Sequence, residues 1–506
     1  VTKSTLATTL KATLVSLTLF GLTISGCKKN SEVDKLITNN PPDQFSVSVI
    51  KVSSDSAVIN WTQSTDPDGD PVTYKILIND TIKITNYTGV DYVFKNLHEL
   101  TTYNIKIIAV DSKQNETSES LTLTTKKYWL TFLKKVEYGS ISGYSSQKCG
   151  QMIKANDGNG YVIVGESEIP GGTAGPYRMF AIKIDTLGNK LWQKYYDYTV
   201  GNTIEIKIIK NTNDGYIISG GSNLISINNA GDLIWHQSTS TTFNVIFGIA
   251  INSAGQIYTV GDISFDSATN KMAAILSKYD ADGNLQWNKQ YSPSIYDQFY
   301  DIKIDANDQL IVLGLTEGTN MSIADYNYGG QSRFDFWVLK LTEDGDIVWS
   351  NTYPIDYNQA FPENIIQTKE GNYVFTGFTF GPYDITYFHL QMIDGGGNSM
   401  WSYFSEENHT KSYSVSETSD NSLIVAGGFQ LPNSMQSALF KFDKNGNVIW
   451  EKLYPEFATF LQNRTVLPTS DGGYIINCQK SKPYNSSGET DQIYIFKTTD
   501  TGEFSN

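Results

Sequence analysis

Beyond residue 40 the chain is written in short apolar–polar alternations. Between Pro41 and Lys126 the segments FSVSVIKV, SAVINWTQ, TYKILIND, TYNIKIIAVD and SLTLTT alternate with period two. Turn-rich pieces separate them, a spacing that predicts an antiparallel sandwich. From residue 127 onward the pattern repeats itself. A polar turn leading into an apolar strand recurs as DGNGYVIVG, TNDGYIISG, SAGQIYTVG, ANDQLIVLG, KEGNYVFTG, SDNSLIVAG and SDGGYIINC. A second frame recurs between these copies as DTLGNKLW, NNAGDLIW, DADGNLQW, TEDGDIVW, DGGGNSMW and DKNGNVIW, placing tryptophans at 192, 235, 287, 349, 401 and 450.

Units of about fifty residues with four strands each predict a β-propeller. In every unit a first strand such as IEIKIIK leads through a polar turn to GYIISG, then to a strand such as FAIKID, and through a glycine hairpin to LWQKYY. Glycine permits the positive φ of the tight turn, and tryptophan supplies an apolar plate for the neighbouring unit. The first frame occurs in seven copies and the second in six, because the last unit ends DTGEFSN with only Phe504 near the tryptophan place. WLTFLKKVEY, Trp129–Tyr138, is an unassigned strand at the other end of the repeat. An open ring would leave two bare sheet edges, so this segment is expected to complete the last blade. The expected fold is all-β: a sandwich followed by a seven-bladed β-propeller closed by its N-terminal strand.

Lys3 and Lys11 precede the apolar run TLVSLTLFGLTISG, Thr13–Gly26, which fits a signal-peptide core and is short for a membrane span. It ends at Cys27, and LTISGC resembles the lipobox of bacterial lipoproteins. That resemblance implies a cleaved signal peptide over 1–26 and a lipid on Cys27. The polar stretch 27–40 then reads as a tether, with partnership to the membrane through the lipid alone. Lys28 and Lys29 stand where an inner-membrane retention aspartate is common, so an outer-membrane address in the cell envelope is expected.

Trp61, Tyr74, Leu97 and Tyr103, the last two in LHELTTYNIKIIAVD, make segment 41–126 resemble a fibronectin type III domain. The resemblance implies a spacer or protein-binding module in which Trp61, Tyr74 and Tyr103 are core. The tryptophan frames of 127–506 resemble the tryptophan-docking repeats of quinone-dependent dehydrogenases and the noncatalytic propellers of bacterial surface lipoproteins. Quinone enzymes of that kind usually have eight blades and a vicinal cysteine pair. Here Cys27, Cys149 and Cys478 are far apart, so no cofactor is expected.

Composition narrows the chemistry. The formal net charge is -15, with no run of Lys or Arg to track phosphates, which argues against nucleic acid as a partner. No HExxH, GxSxG, CxxC or phosphate-binding glycine loop occurs, and no catalytic residue is assigned. His98, His236, His389 and His409 fall in different units, so no metal site is expected from them. DPDGDP, Asp66–Pro71, has its glycine at the fourth place instead of the sixth of an EF-hand and the non-chelating Leu77 at the twelfth, and reads as a polar turn.

Candidate contacts lie where units swell. The insertion Glu317–Phe336 carries Tyr326, Tyr328 and Arg333, and neighbouring loops bring Tyr296, Tyr300, Tyr383 and Tyr387. Tyrosine gives broad amphipathic contact at low entropy cost, so these loops suit glycan or protein; packing beneath their own loops is the other reading. Cys149 and Cys478 would come to neighbouring blades on closure, leaving a disulfide and two buried thiols both open. The favoured function is a noncatalytic binding or scaffold lipoprotein; a propeller enzyme acting on extracytoplasmic polymer is the alternative.

Overall fold

The computed structural model describes residues 39–504, apart from 130, 137–146, 169–176, 201–205, 240–244, 264–271, 295, 318–333, 356–358, 381–384, 406–409, 432–433, 455–460 and 481–491. All of its regular elements are β-strands, and the chain divides into two compact units at Tyr128/Trp129.

The first unit is a sandwich. One sheet orders Val47–Val52, Ala57–Trp61 and Asp91–Phe94; the other orders Thr81–Tyr87, Thr73–Ile78, Thr102–Val110 and Glu116–Thr124. Alternation turns Ile59, Trp61, Tyr74, Ile76, Ile105 and Ile107 into one buried core, with the Trp61 and Tyr74 rings 5.3 Å apart at 66°. The two buried phenols are satisfied by backbone: Tyr74 Oη accepts from Ser64 N at 2.8 Å and Tyr103 Oη from His98 N at 2.8 Å. The DPDGDP turn spends its carboxylates internally. Asp66 Oδ1 accepts from the amides of Asp68 and Asp70, and Asp70 pairs with Lys113 at 3.1 Å.

The second unit is a succession of four-stranded antiparallel meanders. The first runs from Gln147–Lys154 to Lys190–Val200, the second from Lys207–Asn211 to Leu233–Ser238, and the third from Val245–Ile251 to Leu285–Tyr291. The fourth, Asp297–Ile304 to Ile347–Tyr353, is linked in strand pairing to the fifth, Gln359–Gln367 to Ser399–Phe404, by a parallel bridge, Phe334↔Gln359. The sixth runs from Thr410–Glu417 to Val448–Tyr454. The last contains only three late strands, Leu461–Pro468, Tyr474–Lys480 and Gln492–Thr498. Its fourth strand is Phe132–Lys135, antiparallel to Gln492–Thr498 in the register Lys497↔Phe132 to Tyr494↔Lys135.

The repeated frames have definite jobs. In DTLGN, Asp185 Oδ1 accepts from the amides of Leu187 and Asn189, and Asp280, Asp394 and Asp443 do the same in their copies. The hairpin glycine then receives the tryptophan of the preceding meander: Trp192 at Gly231, Trp235 at Gly283, Trp287 at Gly345, Trp349 at Gly397, Trp401 at Gly446 and Trp450 at Gly502. At Gly446 φ is +86° and an added β-carbon would lie 2.7 Å from the Trp401 ring, so glycine is required twice over. Trp192 and Trp401 also donate their indole N–H to the backbone oxygens of Asn229 and Lys444, at 3.1 and 3.0 Å.

Candidate binding site

A bulge recurs in the first strand of most meanders. One extra residue is inserted at Phe247, Tyr300, Glu363, Tyr413 and Arg464, each seen as a register slip against the second strand. The first meander slips near Gly150–Gln151 in the same way. The residue after the bulge reaches sideways to the next meander. Asp301 accepts from Ile365 N at 3.0 Å, Asn364 from Val415 N at 3.1 Å, and Ser414 from Val466 N at 3.3 Å. Thr465 accepts from Met152 N at 3.1 Å, and Gln151 from Ile208 N at 2.9 Å. Lys207 and Gly248 occupy the equivalent places in the second and third meanders and have no acceptor atom to offer. There Asp301 instead accepts the amide of its own neighbour, Ile302, at 2.9 Å.

These strands surround a cavity of about 200 Å³. Its charged and aromatic lining comes from Lys207, Asp301, Lys303, Glu363, Tyr413 and Arg464. Asp301 is buried, and each of its oxygens is occupied: Oδ1 by Ile302 N and Lys303, Oδ2 by Ile365 N, Asn364 Nδ2 and Lys303. Burial opposes its ionisation, but Lys303, Lys207 and the Ile365 amide outweigh that and hold it below the usual carboxylate range. The Arg464 guanidinium lies 5.8 Å from the centre of the buried Tyr413 ring. Burial, opposed by Arg464 and helped by Glu363, pushes that phenol up.

Three of the tyrosines singled out in the sequence, Tyr296, Tyr300 and Tyr387, fall among the described residues. Tyr296 directly precedes the fourth meander's first strand, Asp297–Ile304, Tyr300 is the bulge residue within it, and Tyr387 is the second residue of the fifth's third strand. Tyr296 is half-buried with its ring 5.0 Å from that of Phe334, and Tyr300 stacks on Phe247 at 5.2 Å. Neither these two nor Tyr387 lines the cavity. Tyr326, Tyr328, Arg333 and Tyr383 lie outside the described residues, as does Cys27.

Cys149 and Cys478 are both buried and free. Asn477 meets Cys149, with Nδ2 3.0 Å from Sγ. Burial pushes the Cys149 thiol up to about 12 despite Arg464 and Asn477. His389 is packed between Phe336, at 4.7 Å, and Phe404, at 4.3 Å. Among the described residues no group of His, Cys, Asp or Glu could hold a metal.

The lining residues that sequence reading missed carried a signal. In FYDIKI, PENIIQ, SYSVSE and NRTVLP, a polar or charged residue breaks the apolar alternation at one shared position of each first strand.

Comparison with known proteins agrees with the first unit. Residues 40–126 match the fibronectin type III domain family, and this segment is such a domain. No curated protein matches the chain. Among solved structures, a protein of unknown function from Dyadobacter fermentans is 11% identical, covering 72% of this chain and 98% of its own, with a TM-score of 0.44. The β-propeller domain of the Trilobed protease from Pyrococcus furiosus is 10% identical, covering 71% and 97%, with a TM-score of 0.38. An exotype rhamnogalacturonan lyase is 12% identical, covering 90% and 84%, with a TM-score of 0.33.

Proposed function

We propose that this chain is a noncatalytic cell-envelope lipoprotein whose seven-bladed propeller, closed by Phe132–Lys135, is a recognition platform for glycan or protein. The fibronectin type III domain serves as its spacer, and the tryptophan frames are docking repeats used for architecture alone. The observation that carries the binding reading is the state of Asp301. With both oxygens saturated by amides, Asn364 and Lys303, it has no lone pair directed at a substrate and no proton to give near neutral pH. The cavity's other carboxylate, Glu363, is then without the second acid that glycoside hydrolysis requires. The bulged strands and their side-chain relay give the ring a rigid frame, on which the variable loops at the other strand ends are displayed.

The test is a glycan and protein-ligand binding screen on the soluble chain from Ser31 onward, run with a parallel assay for polymer cleavage. Saturable binding without cleavage is expected; turnover of a polysaccharide would replace this reading with the enzyme. The lipid anchor is tested separately. Cys27→Ser should leave an unprocessed or soluble protein, and normal membrane fractionation of that variant would remove the anchor.

A further inference from the structure

We infer that the seam between the second and third meanders is a binding site for ordered water, held by hydroxyls from both sides. This is independent of the recognition reading above. The first argument is register. Directly opposed residues of an antiparallel pair share a face. Ser226, opposite Ile217, and Ser219, opposite Leu224, therefore lie on the face that Ile217 and Leu224 turn to the third meander. Across the seam Thr259 is opposite Ser277 and Tyr279 is opposite Ile257, and period two puts all of them on the face that Ile257 and Ile275 turn back. The five hydroxyl residues are at most 2% exposed, and among the described residues none of these oxygens has a hydrogen-bond partner. Burial pushes the Tyr279 phenol up to about 12. Thr259 and Ser277 stand near enough to oppose that rise, though neither meets the phenol in hydrogen-bond geometry.

The second argument is size. Thr259 stands two residues before the glycine of its strand, with Ser277 opposite. The same two positions hold Ile163 and Ile182 in the first meander, Ile218 and Ile225 in the second, and Val312 and Leu339 in the fourth. Ser219 directly precedes its glycine, a place taken by Val164 in the first meander and Leu313 in the fourth. Each exchange puts a short hydroxyl side chain where a neighbouring unit has an aliphatic one. The seam therefore gains polar atoms and loses side-chain volume together. Those are the two conditions for a buried water, which needs room and about two to four polar partners. Serine, threonine and tyrosine hydroxyls both donate and accept, and water does the same. None of the five is charged near neutral pH, so the matching occupant is neutral. Water between them meets a desolvation cost that a bare buried hydroxyl would carry in full.

The experiment is a crystal structure of the soluble chain from Ser31 onward, at a resolution that shows ordered water, joined to thermal unfolding of wild type, Thr259→Val and Ser277→Ala. Ordered water within about 3.2 Å of hydroxyl oxygens from both meanders is expected. Each substitution removes one anchor of that water and should lower the thermal midpoint by about 1–3 °C. A bare hydroxyl would give the opposite sign, because deleting it relieves an unmet desolvation cost. The two variants change a side chain by one heavy atom each, so folding is retained and the sign can be read. A wild-type seam without ordered water, its hydroxyls turned to one another or to backbone, overturns the inference. So does a midpoint that is unchanged or raised in either variant.

Discussion

Gly188 lies against the ring of Phe132: a β-carbon added to it would stand 2.8 Å from Phe132 Cε2 and 3.0 Å from Ile495 Cδ1. The same contact joins Gly231 to Trp192 and each later hairpin glycine to the tryptophan of the meander before it. Phe132 therefore stands in the tryptophan's place for the last meander. Trp129, at the head of the segment expected to complete the last blade, has its ring near Gly473 instead. Phe132→Ala should destabilise the second unit by roughly 1–2 kcal/mol, as expected for a half-buried aromatic, read as a lowered thermal midpoint. An unchanged midpoint would mean that this ring contributes no packing.

Two glycines with the same backbone separate conformational strain from close approach. Gly371 has φ +86° and open space around it; Gly446 has φ +86° and the Trp401 ring against it. Gly371→Ala should cost about 1 kcal/mol, from the left-handed backbone alone. Gly446→Ala adds overpacking and should cost about 2–4 kcal/mol in chemical denaturation. Equal costs would show that the tryptophan yields freely.

Asp301 binds two meanders together and also neutralises Lys303. Asp301→Ala leaves two amides and Asn364 without their acceptor, and should cost roughly 2–4 kcal/mol, the partial exposure of Lys303 moderating the loss. Because its folded pKa lies below the unfolded value of about 3.9, its contribution is complete above that value and is lost as pH falls through the lower one. The variant should accordingly be less stable than wild type by a constant amount from pH 5 to 8. A difference that grew across that range would contradict this assignment.

His389 gives the opposite kind of pH dependence. Burial lowers its pKa to about 4, only partly opposed by Gln391, so it folds neutral. The unfolded chain takes up its proton below about 6.5 while the folded chain does not until about 4. Stability is then lost as pH falls through that window, by roughly 3 kcal/mol from this one residue. His389→Gln should flatten the stability profile between pH 6.5 and 4; an unchanged slope would place the acid sensitivity in other groups.

Thiol reactivity follows from burial. In the chain from Ser31 onward, Cys149 and Cys478 should resist iodoacetamide in the folded state and both react after denaturation without reductant. Recovery of fewer than two thiols would indicate a disulfide.

The sandwich and the meanders were legible because their information is local. Period-two alternation marks strands, and each glycine–tryptophan frame carries its own turn and its own packing partner. The strand supplied by Phe132–Lys135 was legible for a different reason: the count of second frames fell one short of the first. The cavity was harder to see. Its charged residues sit inside otherwise apolar strands, and only the bulge, a relation between two strands, turns Glu363, Tyr413 and Arg464 away from the ladder. The tyrosines drew attention because they lie where units swell, yet Tyr296 and Tyr300 are engaged with Phe334 and Phe247.

The claim on which the platform depends is closure of the ring by Phe132–Lys135. It is tested most directly by comparing thermal unfolding of a chain beginning at Lys126 with one beginning at Gly139, which lacks that strand. The account predicts that the shorter chain melts at a lower temperature and over a broader range, because Gln492–Thr498 becomes an exposed edge. Equal midpoints and equal cooperativity would contradict it.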